Sequence, residues 1–309
     1  MTQTKPIVVL GVFVADTAYR AERQPRLGET ILGNSFVLGP GGKGSNQSVA
    51  CGRLGADVHI ITRLGKDAFA ELAAKTWREA GVTPAVAYDP ESYTGAAYIF
   101  IEEATGNNAI IVCPGAATKI APADIDANAA LIQGASVFMT QLEQPIETAR
   151  YALSMAKEAR VATILNPAPA APLDDAMFGL CDFATPNETE TAEITGLPVA
   201  TLDEARRAAD RLLAKGVGTA VITLGENGVL VHDRENSVHV PAFDAGPVVE
   251  TTGAGDAFNG GFAVALARGA DPVTAARFGC ATAGISVTRP GTAPSMPSLD
   301  EVEALLARG

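Results

Sequence analysis

The chain has 309 residues, 47% of them apolar, rich in Ala and Gly and poor in aromatics, with a formal net charge of −12. That length allows one large α/β domain or two smaller ones with apolar surface enough for a real core. So acidic a surface repels nucleic-acid phosphates and anionic lipid, and leaves small molecules as the expected partners.

At the N-terminus Lys5 precedes the apolar run IVVLGVFVA, which has the length of a signal-peptide core. The run is rich in Val and Ile and ends at Asp16, so it reads as a buried first strand. No stretch approaches the ~20 apolar residues of a membrane span. Cys51, Cys113, Cys181 and Cys280 lie far apart, and His59, His232 and His239 show no zinc spacing. Scattered thiols fit a reducing compartment, and the cytoplasm is expected.

Strands are expected at 6–13, 57–62, 135–140, 160–165, 181–184 and 218–224. Most are continuously apolar, which suits a mainly parallel sheet covered on both faces. Helices fall between them. Residues 146–158 have Pro145 for a first turn. In TLDEARRAADRLLAKG, Thr201 and Glu204 form a capping box, Ala205, Ala209, Leu212 and Leu213 one face, and Gly216 a stop. SLDEVEALLARG repeats the design with Ser298, Glu301 and a Val302/Leu305/Leu306 face. The alternation predicts a doubly wound α/β sandwich, a single domain over 1–309. Two segments, 14–38 and 93–113, hold β-rich stretches without helices of their own. They read as a small β lid over a site or as a plain extension of the sheet edge.

Four stretches could carry chemistry. GPGGKGSNQ (39–47) fails as a nucleotide P-loop: Val37 stands where the first glycine belongs and Gly44 where the hydroxyl belongs. It remains a glycine turn entering a helix. TPNETE (185–190) is either a capping box of Asn187 with Glu190 or a hydrated Mg²⁺ site. ITLGENGVLV (222–231) is a hairpin, or a turn along which a nucleotide lies at the carboxyl end of the sheet. VVETTGAGDAFNGGFAVALARG (248–269) leads through Gly253 and Gly255 into a helix of small residues. Backbone N–H groups there can converge on one anion, aided by the helix N-terminus. Asp256 at that point is either a helix cap or a general base. A dinucleotide fold, a G-x-S-x-G hydrolase and an H-E-x-x-H protease are excluded by their missing motifs.

GGKGSNQSVACGRLGA (41–56) and TTGAGDAFNGGF (251–262) resemble the two signature stretches of the phosphofructokinase-B-type, ribokinase-like, sugar kinase family. PRLGET (25–30), TGAAYIFI (94–101), QLEQP (141–145), NPAPA (166–170), TPNETE, ITLGENG (222–228) and VTRPGTAPSMP (287–297) extend the likeness over essentially the whole chain.

The resemblance implies ATP-dependent phosphorylation of the primary hydroxyl of a sugar, D-ribose first. Gly42, Lys43, Asn46, Asp16 and Glu143 would bind sugar hydroxyls. ATP would lie near Asn187, Thr223, Gly225, Gly228, Gly255 and Cys280, with Mg²⁺ organised through water by Asn187 and Glu190. Gly253, Ala254 and Gly255 would form an anion hole, and Asp256 would be the base. A monovalent cation, K⁺, would sit near Glu250, Thr252, Ser286, Arg289, Gly291 and Ser295. The lid would build a homodimer interface. Val14 departs from the family's asparagine and Glu250 from its aspartate. Another sugar, a nucleoside, or a sugar-binding regulator without chemistry are the alternative readings.

Overall fold

The computed structural model describes residues 5–308; residues 1–4 and 309 of the expected 1–309 span lie outside the described residues. The strands are β1 (Ile7–Leu10), β2 (Val14–Ala21), β3 (Ser35–Gly41), β4 (Val58–Leu64), β5 (Val82–Tyr88), β6 (Thr94–Glu102), β7 (Asn108–Gly115), β8 (Val137–Thr140), β9 (Ala162–Leu165), β10 (Phe183–Ala184), β11 (Thr219–Thr223), β12 (Val229–His232) and β13 (Ser237–Val240). The helices are α1 (Lys43–Arg53), α2 (Ala68–Ala80), α3 (Pro122–Asp126), α4 (Ala129–Gln133), α5 (Ile146–Glu158), α6 (Asp175–Phe178), α7 (Glu188–Thr195), α8 (Leu202–Ala214), α9 (Ala254–Ala267), α10 (Pro272–Ser286) and α11 (Leu299–Leu306).

A nine-stranded sheet runs β13-β12-β11-β10-β9-β8-β1-β4-β5. It is parallel from β5 through β11; β12 alone runs against this direction, pairing antiparallel with β11 on one side and β13 on the other. Successive residues of a strand feed opposite faces. Ile7 and Val9 join the core layer under α1, α2, α9 and α10, whereas Val8 and Leu10 join the layer under α5 and α8. Each fully buried aliphatic side chain contributes roughly 1.5–3 kcal/mol. This two-sided burial is why the strands read as continuously apolar. The six expected strands are present with shifted ends. The edge strand β5 was not expected, because its sequence VTPAVAY is half-exposed and holds Pro84, a residue that edges tolerate.

A separate four-stranded sheet, in the order β3-β2-β6-β7, comes from the two helix-free segments. The expected helix caps form at α8, where Glu204 N–H donates to Thr201 Oγ1 (3.2 Å), and at α11, where Ser298 N–H donates to Glu301 (2.9 Å). The buried face of α8 is Ala205, Ala208, Ala209 and Leu212. Leu213 is only half-buried, since the stripe facing the sheet follows the three- and four-residue steps from Ala205. Pro145 is the N-cap of α5 rather than a residue of its first turn.

Helices α1 and α9 run side by side in the same direction. At their N-terminal ends Asn46 Nδ2 donates to Asp256 Oδ2 (3.0 Å). One turn on, a Cβ added at Gly260 would lie 2.4 Å from the Ala50 Cβ. At their far ends Arg268 Nη2 donates to the Leu54 carbonyl (2.8 Å). Behind α1, fully buried Trp77 of α2 donates Nε1 to Ser45 Oγ (2.9 Å) and meets Phe13 edge-on. Gly260→Val is expected to lower stability by about 2–3 kcal/mol, the cost of overpacking a filled helix contact. Ala50→Gly in the same chain should restore part of the loss. An unchanged denaturant midpoint in the single variant would show that the two helices are not in this contact.

Candidate active site

A cavity of about 160 Å³ opens at the carboxyl ends of the central parallel strands, room for a reacting group rather than for a whole nucleotide. Its walls come from distant parts of the chain. Lys43 opens α1, Asn187 and Glu190 start α7, Thr223 ends β11, and Gly253, Gly255 and Asp256 start α9. Asn166, Thr185 and Asn259, which the motif reading did not single out, complete the wall. Asn166 and Thr185 are the first residues beyond β9 and β10. Strand ends of a parallel sheet are where α/β folds hold ligands, and both residues open stretches, NPAPA and TPNETE, that carry the family resemblance. A larger cavity of about 610 Å³ beside Phe243 and Arg277 shares no lining residue with this one.

Asp256 is the third residue of α9 and does not cap it. Gly253 is the N-cap, in the left-handed region at φ +83°, with no side-chain cap bond. Only glycine enters that turn without strain. The Asp256 carboxylate instead accepts from Asn46 Nδ2 at Oδ2 and from Gln47 Nε2 at Oδ1, both at 3.0 Å. Burial raises its pKa, while the Lys43 charge and the two amides pull the other way. The Ala254 N–H, one of the three expected anion-hole donors, is committed to the Thr251 carbonyl at 3.1 Å.

Lys43 gathers the charges. Its backbone N–H donates to Glu143 Oε2 (2.8 Å), and Gly42 before it is the N-cap of α1. Burial works against the ammonium, but Asp256, Glu143 and Glu190 outweigh it and hold its pKa above the usual value. Burial pushes Glu143 up to about 7, against the Lys43 charge and N–H, with Asp256 and Asp16 adding repulsion. Burial, then the Glu250 charge, pushes Asp16 up to about 6. Asp16 lies so close under Gly41 that a Cβ there would meet its Oδ2 at 2.2 Å. Asn46 Oδ1 is buried without a hydrogen-bond partner. A buried acceptor of this kind calls for a donor such as a hydroxyl.

Asn187 and Glu190 do form the reciprocal capping box: Glu190 N–H donates to Asn187 Oδ1 (2.8 Å) and Asn187 N–H to Glu190 Oε2 (2.9 Å). Burial raises the Glu190 pKa, partly offset by the Asn187 N–H and Lys43. Thr223 is tied to this helix start, its N–H donating to the Pro186 carbonyl (3.0 Å). Gly225 and Gly228 shape the β11–β12 turn and do not line the cavity. Cys280 is not on its wall either. Only 6% exposed, it packs in the core with Phe258 and Ile285, where burial pushes its thiol up to about 12. The close contact of α10 with α9 turns it inward.

The segments named for a monovalent cation meet behind the glycine turn. Gly291 N–H donates to Glu250 Oε2 (2.8 Å), and the Val249 and Glu250 N–H groups both reach the Val287 carbonyl. Ser286 and Ser295 are buried, Thr252 is exposed, and the Arg289 guanidinium is drawn away to Glu301.

Glu143 generates a stability prediction. Its carboxyl rises from 4.5 to about 7 on folding, so between those pH values the folded chain binds more protons than the unfolded one. Stability therefore falls as pH rises through that window. Glu143→Gln, which keeps an acceptor for the Lys43 N–H, should stabilise the ligand-free protein at pH 8 by about 1–3 kcal/mol. The gain should vanish near pH 4. Denaturant unfolding at the two pH values checks this, and an equal effect at both would refute it.

Comparison with known proteins bears on what this geometry serves. The model of the pfkB family carbohydrate kinases matches residues 4–299. A deoxyribokinase of Salmonella typhi is 37% identical, over 97% of this chain and 98% of its own length. A ribokinase of Haemophilus influenzae is 36% identical, over 96% and 97%. Among solved structures, Arabidopsis thaliana ribokinase complexed with ribose and ATP superposes with a TM-score of 0.92 at 30% identity, over 98% and 99% of the two chains. With the family model matched over residues 4–299 and relatives of 36–37% identity covering nearly the whole chain, the chain belongs to the pfkB family of carbohydrate kinases.

Proposed function

We propose that this kinase transfers the γ-phosphoryl group of ATP to the primary hydroxyl of a pentose, with D-ribose, giving D-ribose 5-phosphate, as the first acceptor. One observation supports the chemistry most: the Asp256 carboxylate stands beside the Gly253–Gly255 turn, held by amides and facing a half-buried Lys43. Asp256 takes the hydroxyl proton while the sugar oxygen bonds to the γ-phosphorus and the bond from that phosphorus to the ADP oxygen breaks. The Gly253 and Gly255 amides, the N-terminal end of α9 and Lys43 favour the negative charge that spreads over the phosphoryl oxygens. Ala254 contributes its place in the turn rather than its amide. Gly42, Asn46, Asp16 and Glu143 would hold the remaining sugar hydroxyls, and the nucleotide would extend from Asn187 and Thr223 along the turn of Gly225 and Gly228.

Asn187 and Glu190 suit an ion held largely through water. Their capping box leaves Glu190 Oε1 without a protein partner, and among the described residues no three acidic, histidine or cysteine side chains gather as a metal cage. Mg²⁺ bound there would neutralise phosphate charge. A K⁺ ion would rest between the Glu250–Thr252 segment and Ser286, Gly291 and Ser295, meeting Arg289 only at its backbone.

A specific observation favours 2-deoxyribose as the second reading. Val14 is buried, two residues before Asp16 on β2 and paired with Gly41, and presents methyl groups where the family carries an amide. A site lacking that partner does not penalise an acceptor lacking the hydroxyl. The similarity to the Salmonella deoxyribokinase points the same way. The lid would also pair two copies: Phe36 and Ile111 on it are 56% and 62% exposed, and the Tyr19 ring lies tilted against those of Phe36 and Tyr98.

ADP release measured separately with ribose, 2-deoxyribose, fructose and adenosine identifies the acceptor; release with none of them would defeat the kinase proposal. Asp256→Asn should lower kcat by at least ~10²-fold while largely sparing ATP binding. Phe36→Asp with Ile111→Asp should turn a dimer into a monomer in sedimentation, and a species of unchanged mass would remove the lid from the interface.

A further inference from the structure

Gln47 follows Asn46 in the sequence and has no part in the binding of sugar, nucleotide or phosphate described above. It is fully buried, and its amide is used on every side. Nε2 donates to Asp256 Oδ1 (3.0 Å) and to Asn166 Oδ1 (3.1 Å), while Oε1 accepts from Gln141 Nε2 (2.5 Å). Turned over, the amide would set an oxygen against two acceptors and a donor against a donor. One orientation alone satisfies the site.

The bonds continue beyond Gln47. Asn166 Nδ2 donates to the Thr185 carbonyl (3.0 Å), Thr185 Oγ1 to Asn259 Oδ1 (2.6 Å), and Asn259 Nδ2 to the Gly255 carbonyl (2.8 Å). Gly255 is bonded through its peptide to Asp256, so the chain of contacts closes into a ring. All five side chains of the ring, Asp256 included, are buried.

We infer that Gln47 is a positioning residue for the phosphoryl transfer: through this ring it holds the Asp256 carboxylate and the Gly255 carbonyl in one frame, keeping the base at a set distance from the glycine turn. The inference rests on the kinase reading above. A carboxylate turns easily about its last torsion, whose preference is broad. Two donors approach Asp256, and they are not equivalent. Asn46 has a buried oxygen without a partner, an acceptor left over for a sugar hydroxyl. Gln47 has no spare atom and stays on Oδ1 whether or not sugar is present. A hydrogen bond to an ionised acceptor is roughly twice as strong as a neutral one, so Gln47 also favours the charged base.

Gln47→Met keeps the volume and removes the amide. kcat should fall by about 10–10²-fold, the scale on which small misplacements of a reacting group cost rate. KM for ATP and for the accepted sugar should stay within about threefold of the parent. The acid limb of the kcat–pH profile should move up by about one pH unit, because a donor to the charged carboxylate is gone. Lys43, Glu143 and Glu190 are the other charged groups facing Asp256, and all three remain. Unchanged kcat and an unmoved acid limb in a folded Gln47→Met protein would overturn the inference. Should that variant fail to fold, Gln141→Met removes the donor that holds Gln47 Oε1 and leaves the amide anchored through Nε2 alone; a smaller fall in kcat at constant KM is then expected, and no change in kcat overturns the inference. An unmutated protein inactive on every sugar would instead defeat the kinase reading, so the two failures are distinguishable.

Discussion

The approach of α1 to α9 governs the site. Gly260 has no side chain because Ala50 occupies the space where one would be. One turn toward the N-terminus of each helix, the same closeness brings Asn46 and Gln47 within hydrogen-bond reach of Asp256. Any residue larger than glycine at 260 would move these contacts by more than hydrogen bonding tolerates. Two helices from opposite ends of the chain thus act as one jaw, with the Gly253 turn and Lys43 at its tip.

The sheet supplies the other half. Gln141, Asn166 and Thr185 each follow a parallel strand directly, and Thr223 ends one. Rigid strands place short polar side chains with little play, which suits groups that must orient a carboxylate. The order of the sheet turns about β1 and β8; the loop leaving β8 carries Glu143, and the chain returning from lid strand β3 into α1 carries Lys43, to a single 2.8 Å contact. The carboxylates around Lys43 favour its ammonium, but their own burial is costly in a ligand-free protein. Burial lifts Asp16 to about 6 and Glu143 to about 7, a sign that these groups await partners that neutralise or hydrogen-bond them.

Much of this was legible in the order of residues. The parallel sheet followed from unbroken apolar strands, the capping boxes from Asn187–Glu190, Thr201–Glu204 and Ser298–Glu301, and the lid strands from segments without a helical period. The edge strand β5 was not legible, since a half-exposed strand with a proline looks like a loop. In the site, Lys43, Asn187, Glu190, Thr223 and Asp256 stood out because glycine turns or helix starts frame them, and they share one cavity. The burial of Cys280 beside Phe258 and Ile285 was not legible, because nothing in a helix of small residues says which side faces inward. The Ala254 amide was counted as free because backbone bonding inside a turn leaves no trace in residue type.

The sequence by itself determined the kind of chemistry: a carboxylate after paired glycines at a helix start, a lysine in a second glycine turn, and an acidic chain unsuited to nucleic acid. Tertiary structure alone decided which groups touch. Whether Asp256 caps its own helix or points at Asn46 and Gln47 depends on a helix some 210 residues away in the chain, and so does the role of Gln47. Local sequence encodes the torsions a segment prefers. Hydrogen bonds between segments distant in the chain exist only once burial has brought those segments together.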